Sequence, residues 1–312
     1  MAQARMGRIK AENRRSFYVF LAPWIAGFLA FQLAPIGWGL ITSLTNRMAF
    51  SQTWKFIGLK NYLTVLADTD VRYAFGTTFL YALLHTSLAI LTGLVIALLL
   101  ERRVPGRGVF RTILYFPYML PLVAVGWIFK IFLDRDTGFL NEVLVRLGVI
   151  KESIAWLQRY PLQSILSLAF WQSGWSLVIF LGGLATVPNE LYEAATIDGA
   201  GYGRRLRHIM LPLLSPFILF QFVASMIYAM QTFIQPYLMN WKPRRGENLF
   251  NQTPPRETFF VMAQAYQQII EKHRFAYGIA MLWSLFLVVL VITIIFIRLG
   301  GFVVYTEVEE KR

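Results

Sequence analysis

The chain has 312 residues, of which 56% are apolar and 15% charged, with a net charge of +13, a mean hydropathy of +0.51 and no cysteine. The missing cysteine excludes a disulfide framework and a thiolate metal site. A charge this positive suits nucleic acid, but here the bases flank apolar runs of more than 18 residues, the arrangement that sets membrane topology. Residues 1–16 hold Arg5, Arg8, Lys10, Arg14 and Arg15 without an apolar run and read as a cytoplasmic tail. A first span is expected over 17–44, too long for the apolar segment of a signal peptide and therefore retained, with Pro23 and Pro35 as kinks.

A polar loop over 45–74 includes the string FIGLKNY at 56–62. The second span is expected at 75–100, followed by a short basic loop with Arg102, Arg103, Arg107 and Arg111. The third covers 112–133 and contains Pro117 and Pro121, and a longer loop over 134–160 carries as many acids as bases. The fourth span is expected at 162–187, the fifth at 213–239 and the sixth at 276–297, with a loop of roughly 35 residues between the last two. Six spans put both termini on one side. The tail 1–16 and the loop 101–111 are the densest basic stretches, which places that side in the cytoplasm. The reading is an all-α integral membrane protein with six transmembrane helices.

The polar loop between the fourth and fifth spans, ELYEAATIDGAGYGRRLRHIMLPLLSP, has an unusual order of residues. A short helix is expected to open at Pro188 and Asn189, a residue of N-cap type. Glu190 and Glu193 follow in its first turns, where carboxylates suit the helix dipole. Ala194 and Ala195 favour helix and carry little bulk, and Gly199 and Gly201, flanking Ala200, stop it. A basic segment with Arg204, Arg205 and Arg207 is expected to end at Leu211-Pro212. By residue type alone this is equally a coupling surface or an ordinary surface helix in a loop.

The loop resembles the EAA loop of permease subunits of binding-protein-dependent ABC importers. The matching positions are Glu193, Ala194, Ala195, Asp198, Gly199, Ala200, Ile209, Leu211 and Pro212. Family members usually carry aromatic residues where this chain has Gly203 and Leu206. The resemblance extends to Pro35-Ile36 with Ser43-Leu44-Thr45, to Gly58 through Tyr62, to Arg111 through Pro121, to Gly138 through Asn141 and to Gly301 through Tyr305. Together these resemble the branch that imports carbohydrates and glycerol phosphates, the maltose-permease-like one, so the solute implied is a mono- or oligosaccharide or a glycerol-phosphate-like molecule. The resemblance implies a second, similar permease subunit, two ATPase subunits on the cytoplasmic face, an extracytoplasmic sugar-binding protein and a prokaryotic plasma membrane location. It also implies that the loop over 188–212 is a coupling helix within a permease core at 75–297, preceded by the first span and its loop at 17–74 and followed by a cytoplasmic tail at 298–312. No catalytic residue, metal site or cofactor is expected in this chain. It has no GxxxxGK[ST] phosphate loop, so ATP and magnesium belong on the ATPase partner.

A pathway for solute is expected where polar side chains interrupt the apolar runs. Gln221, Ser225, Tyr228, Thr232 and Gln235 follow steps of four and three, on one helical face of the fifth span. The fourth span offers Trp171, Gln172 and Trp175, and the second offers Tyr81 and His85. Amides and hydroxyls hydrogen-bond sugar hydroxyls, aromatic faces stack on sugar rings, and no carboxylate lies within any expected span, which suits a neutral solute. The same residues serve equally as hydrogen-bonding contacts between helices, above all Ser225 and Thr232, and His85 reads as a satisfied interior histidine. The absence of carboxylates also disfavours a membrane-embedded enzyme. A self-contained secondary transporter or channel is the alternative, and it would leave the EAA-like loop without a purpose.

Overall fold

The computed structural model describes residues 17–51, 53–101, 105–240, 242 and 249–303, without the side chains of 251 and 301–303. The basic tail 1–16, Arg102, Arg103, Val304 and Tyr305 lie outside the described residues. Those described form helices and loops, with an isolated bridge between Thr45 and Phe56 and no strand among them. Four helices are long and apolar enough to cross a membrane: α1 (Phe17–Ser43), α3 (Thr69–Glu101), α10 (Tyr202–Met230) and α13 (Phe275–Gly300, helical to Val303). Counting each of two bent pairs as one span gives up to six candidate spans. The pairs are α4 (Arg107–Met119) with α5 (Leu122–Phe132), and α7 (Pro161–Trp171) with α8 (Gly174–Ala185). The shorter helices used below are α2 (Lys60–Ala67), α6 (Phe139–Arg146), α9 (Asn189–Ile197), α11 (Ile234–Asn240) and α12 (Val261–Tyr266).

Prolines have two different effects on these helices, and two of the breaks occur without one. Pro35 and Pro212 each follow a π-helical turn, at Leu29–Leu33 and Leu206–Met210 respectively. A proline lacks the N–H that the preceding turn expects, and a widened turn just before it lets the helix continue. Hence Leu211-Pro212 does not end the basic segment. Arg204, Arg205 and Arg207 lie on the first turns of α10, which starts at Tyr202 rather than near 213. Pro121 acts differently. Leu120 (ψ 141°) and Pro121 (ψ 135°) leave the helical region, and α4 and α5 meet at 96°, so the expected third span is not one rod. The fourth bends by 42° at Gln172 and Ser173. The fifth is interrupted at Gln231 through Phe233 before α11.

The described part of Met1–Ala67 forms one compact unit with Ala265–Trp283. In it, the loop after α1 is tied by Ala49 N–H to His273 O (2.9 Å) and Ala276 N–H to Arg47 O (2.9 Å). The other unit is the described part of Asp68–Gln264 with Ser284–Arg312. Asp68 caps α3 there, its Oδ1 accepting from Asp70 N–H (3.0 Å) and Val71 N–H (3.3 Å). α3 packs against both α8 and α10.

Small residues let these helices approach closely, as membrane helix contacts require. A Cβ on Gly93 would lie 2.9 Å from the backbone carbon of Ser176, and one on Gly174 would lie 2.7 Å from Leu114 O. Gly93→Ala is expected to cost about 1–3 kcal/mol by forcing two backbones apart. The drop appears as a lower thermal unfolding temperature in detergent.

The loop at 134–155 is organised by Asn141, which is buried at 2% exposure. Its Nδ2 donates to the carbonyls of Asp134, Arg135 and Ile154, and its Oδ1 accepts from Ile154 N–H and Trp156 Nε1. The asparagine of the GFLN string therefore closes the loop upon itself. Asp134 is held below its ordinary pKa mainly by hydrogen bonds from Thr137.

Candidate functional site

Two places collect the residues that chemistry singles out. The first is α9 and the turn after it. Helix α9 begins at Asn189, so Pro188 rather than Asn189 stands at the N-cap position, and no side chain makes the capping bond. Its C-terminus explains the spacing of the motif. Gly199 has φ +70°, Gly199 N–H donates to Thr196 O (3.1 Å), and Ala200 N–H donates to Ala195 O (2.8 Å). This is a Schellman closure, in which the residue in the left-handed conformation is usually glycine. Asp198, just before it, donates its N–H to Ala194 O (3.0 Å).

The helix has two faces. Ala195 is buried, and Tyr192 packs with Leu206 against a cluster of Ala97, Leu100, Leu177, Phe180, Leu184, Met210 and Leu214. The Tyr192 hydroxyl donates to Glu101 Oε1 at 3.1 Å, joining α9 to the end of α3. Burial, then the Glu101 charge, push the Tyr192 phenol upward, so it remains the donor. The opposite face shows Glu193, Ala194 and Ile197 to the outside, with Ile197 87% exposed. Ile209, Leu211 and Pro212 are half-buried along the start of α10. Leu206 faces the chain's own cluster, beside Tyr192.

The second place is a cavity of about 440 Å³ whose lining includes Gln172, Trp175, Gln221, Ser225 and Tyr228. Gln221 is 1% exposed. Its Nε2 donates to Ser176 Oγ and Ser225 Oγ, both at 2.7 Å, while its Oε1 is enclosed without a hydrogen-bond partner. Trp175 stacks on Tyr118, centroids 5.5 Å apart, and the His85 and Tyr228 rings lie 6.0 Å apart. Among the described residues, no charged side chain lines the cavity.

Of the six expected pathway residues, Thr232 stands apart. It lies beyond the break in the fifth span, is 4% exposed and is not among the residues that line the cavity. Trp171 packs edge-on against Phe129 in the core rather than on the cavity. His85 is not the satisfied interior histidine expected. It lines the cavity, and its enclosed Nδ1 has no partner. Tyr118 and Ser176 also line the cavity and were missed. Tyr118 lies between Pro117 and Pro121, just before a bend that shows only in the structure.

Residues 89–304 match the family of binding-protein-dependent transport system inner membrane components. The chain belongs to this family. Over 299 residues it is 32% identical to the probable ABC transporter permease protein YesP of Bacillus subtilis, covering 94% of this chain and 93% of that one. It is 30% identical to the arabinooligosaccharides transport system permease protein AraP of Bacillus subtilis, with 91% and 88% covered. The trehalose/maltose transport system permease protein MalF of Thermococcus litoralis is 28% identical, with 95% and 97% covered. The fold is shared with a bacterial ABC transporter involved in import of the acidic polysaccharide alginate. That likeness has a TM-score of 0.79 at 20% identity and covers 96% of this chain and 100% of that one. The relatives are membrane permeases, not enzymes, and the apolar helices of this chain agree with a multi-pass inner membrane component.

Proposed function

We propose that this chain forms part of the translocation pathway of an ATP-driven sugar importer and hands neutral mono- or oligosaccharides through the 440 Å³ cavity. The carrying observation is the cavity's chemistry: aromatic rings, two serines, and the unpartnered Gln221 Oε1, with no charge in the lining. An enclosed acceptor without a partner is costly unless a ligand hydroxyl or water donates to it. Trp175, Tyr118 and Tyr228 offer ring faces for a pyranose, and Gln172, Gln221 and Ser225 offer its hydrogen bonds. A phosphorylated solute finds no cation in this lining. The names of the relatives, for arabinooligosaccharides and for trehalose and maltose, agree with a sugar.

In this reading α9 is the coupling helix. Its exposed face, with Glu193, Ala194 and Ile197, seats in a cleft of an ATPase subunit on the cytoplasmic side. Tyr192 and Glu101 pass its displacement to α3. Two ATPase subunits carry ATP and magnesium, a second permease of the same family completes the pathway, and an extracytoplasmic binding protein delivers the sugar. Both termini are cytoplasmic, and residues 75–297 form the permease core. ATP and the loaded binding protein bias the two orientations of the pathway differently, which is what coupling requires.

Proteoliposomes holding the complex, with ATP inside and the cognate binding protein outside, test this. Uptake of a neutral oligosaccharide is expected to require ATP and to exceed uptake of its uronic-acid counterpart. Uptake driven by an ion gradient without ATP would establish a self-contained secondary transporter instead.

A further inference from the structure

Helix α2, in the loop between the first two spans, has a side that the pathway and the coupling surface do not use. Its inward side is fixed. Asn61 Nδ2 donates to Ser43 O and Thr45 O, both at 2.8 Å, the Tyr62 and Ser43 hydroxyls share a hydrogen bond of 2.7 Å, and Val65 is 2% exposed. These contacts give the GLKNY string its purpose, which is to clamp α2 to the end of α1. They also fix which side of α2 faces away. Leu59, Leu63 and Leu66, at steps of four and three, form a stripe there with exposures of 65%, 65% and 66%.

We propose that this stripe lies in the lipid headgroup–acyl boundary, making α2 an interfacial helix that sets the depth of the chain in the membrane. Three observations select lipid as the occupant. The stripe carries no charge, while exposed Lys60 and Thr64 stand along its edge, the pattern of a helix lying in the plane of an interface. One residue, Asp68, separates α2 from α3, and α1 ends at Ser43 shortly before it, so chain that crosses the membrane flanks α2 at both ends. Exposed Trp54 and Phe56 precede it with Lys55 between them, matching the aromatic and cationic belt of a membrane surface. Because Asn61, Tyr62 and Val65 hold the other side, α2 cannot roll to bury its leucines in the protein.

The chain has no native cysteine, so single labels report one position each. Leu63→Cys, Leu66→Cys and Thr64→Cys, each in the full chain within its purified complex in phosphatidylethanolamine–phosphatidylglycerol nanodiscs, would carry a nitroxide. The ratio of collisions with oxygen to collisions with a water-soluble nickel chelate would then be read by electron paramagnetic resonance. The expected result is a ratio several-fold higher at 63 and 66 than at 64. A ratio at 63 and 66 equal to that at 64 would place the stripe in water and overturn the proposal. Shielding of 63 and 66 from both reagents would also overturn it, in favour of a protein partner covering this face.

Discussion

Gly199→Val or Glu193→Lys is expected to abolish sugar transport while leaving the chain inserted in the membrane at its normal level. Nothing lies within 4 Å of a Cβ built on Gly199, so valine meets no steric clash. The penalty is conformational, because φ is +70° and a branched side chain in the left-handed region costs about 1–2 kcal/mol or more. The chain relieves that strain by giving up the Schellman closure, and with it the bonds from Gly199 to Thr196 and from Ala200 to Ala195. Helix α9 then leaves at a different angle, and Glu193 and Ile197 no longer meet the ATPase in register. Glu193→Lys keeps the backbone but reverses the charge on the exposed face. Neither residue belongs to the buried cluster that holds α9 to α3 and α8, so insertion is spared. Uptake in vesicles, set against the amount of chain in the membrane fraction, checks this. Normal uptake at normal expression would remove the coupling role from α9.

The second large effect is expected in the cavity. Gln221→Ala and Tyr228→Ala should each lower uptake without loosening the ATPase subunits. Loss of a buried hydrogen bond of about 1–3 kcal/mol corresponds to roughly 5- to 150-fold weaker binding. Gln221→Ala also removes the bridge between Ser176 and Ser225, so it carries a stability effect as well. Tyr228→Ala is the cleaner change, because its ring is 47% exposed and makes a long 6.0 Å contact with His85. Both variants are compared with the unaltered chain for uptake and for ATPase retained after affinity purification. Normal uptake by both would return these residues to packing between helices.

Much of the architecture is legible in the residues because apolar runs of membrane length have few alternatives. The helix breaks are not. Pro35, Pro121 and Pro212 look alike in a sequence, yet a π turn absorbs the first and third while the backbone unwinds at the second. That difference depends on what neighbouring helices supply to the freed carbonyls, which local pattern does not encode. The polar stripe of the fifth span shows the same limit. Steps of four and three assume an unbroken helix, which holds from Gln221 to Tyr228 and fails at Thr232, past the interruption at Gln231. The turn at Gly199 was readable because few residues other than glycine close a helix in the left-handed region. His85 was misread because a histidine in an apolar run shows nothing of which way its ring points.

In the proposed function this chain does not act alone. Affinity purification of the tagged chain from its native membrane in a gentle detergent, with every co-purifying protein identified, tests it most directly. The expected result is a second permease of the same family together with an ATPase bearing a phosphate-binding loop. Recovery of the chain alone, in repeated preparations and with transport activity intact, would contradict it.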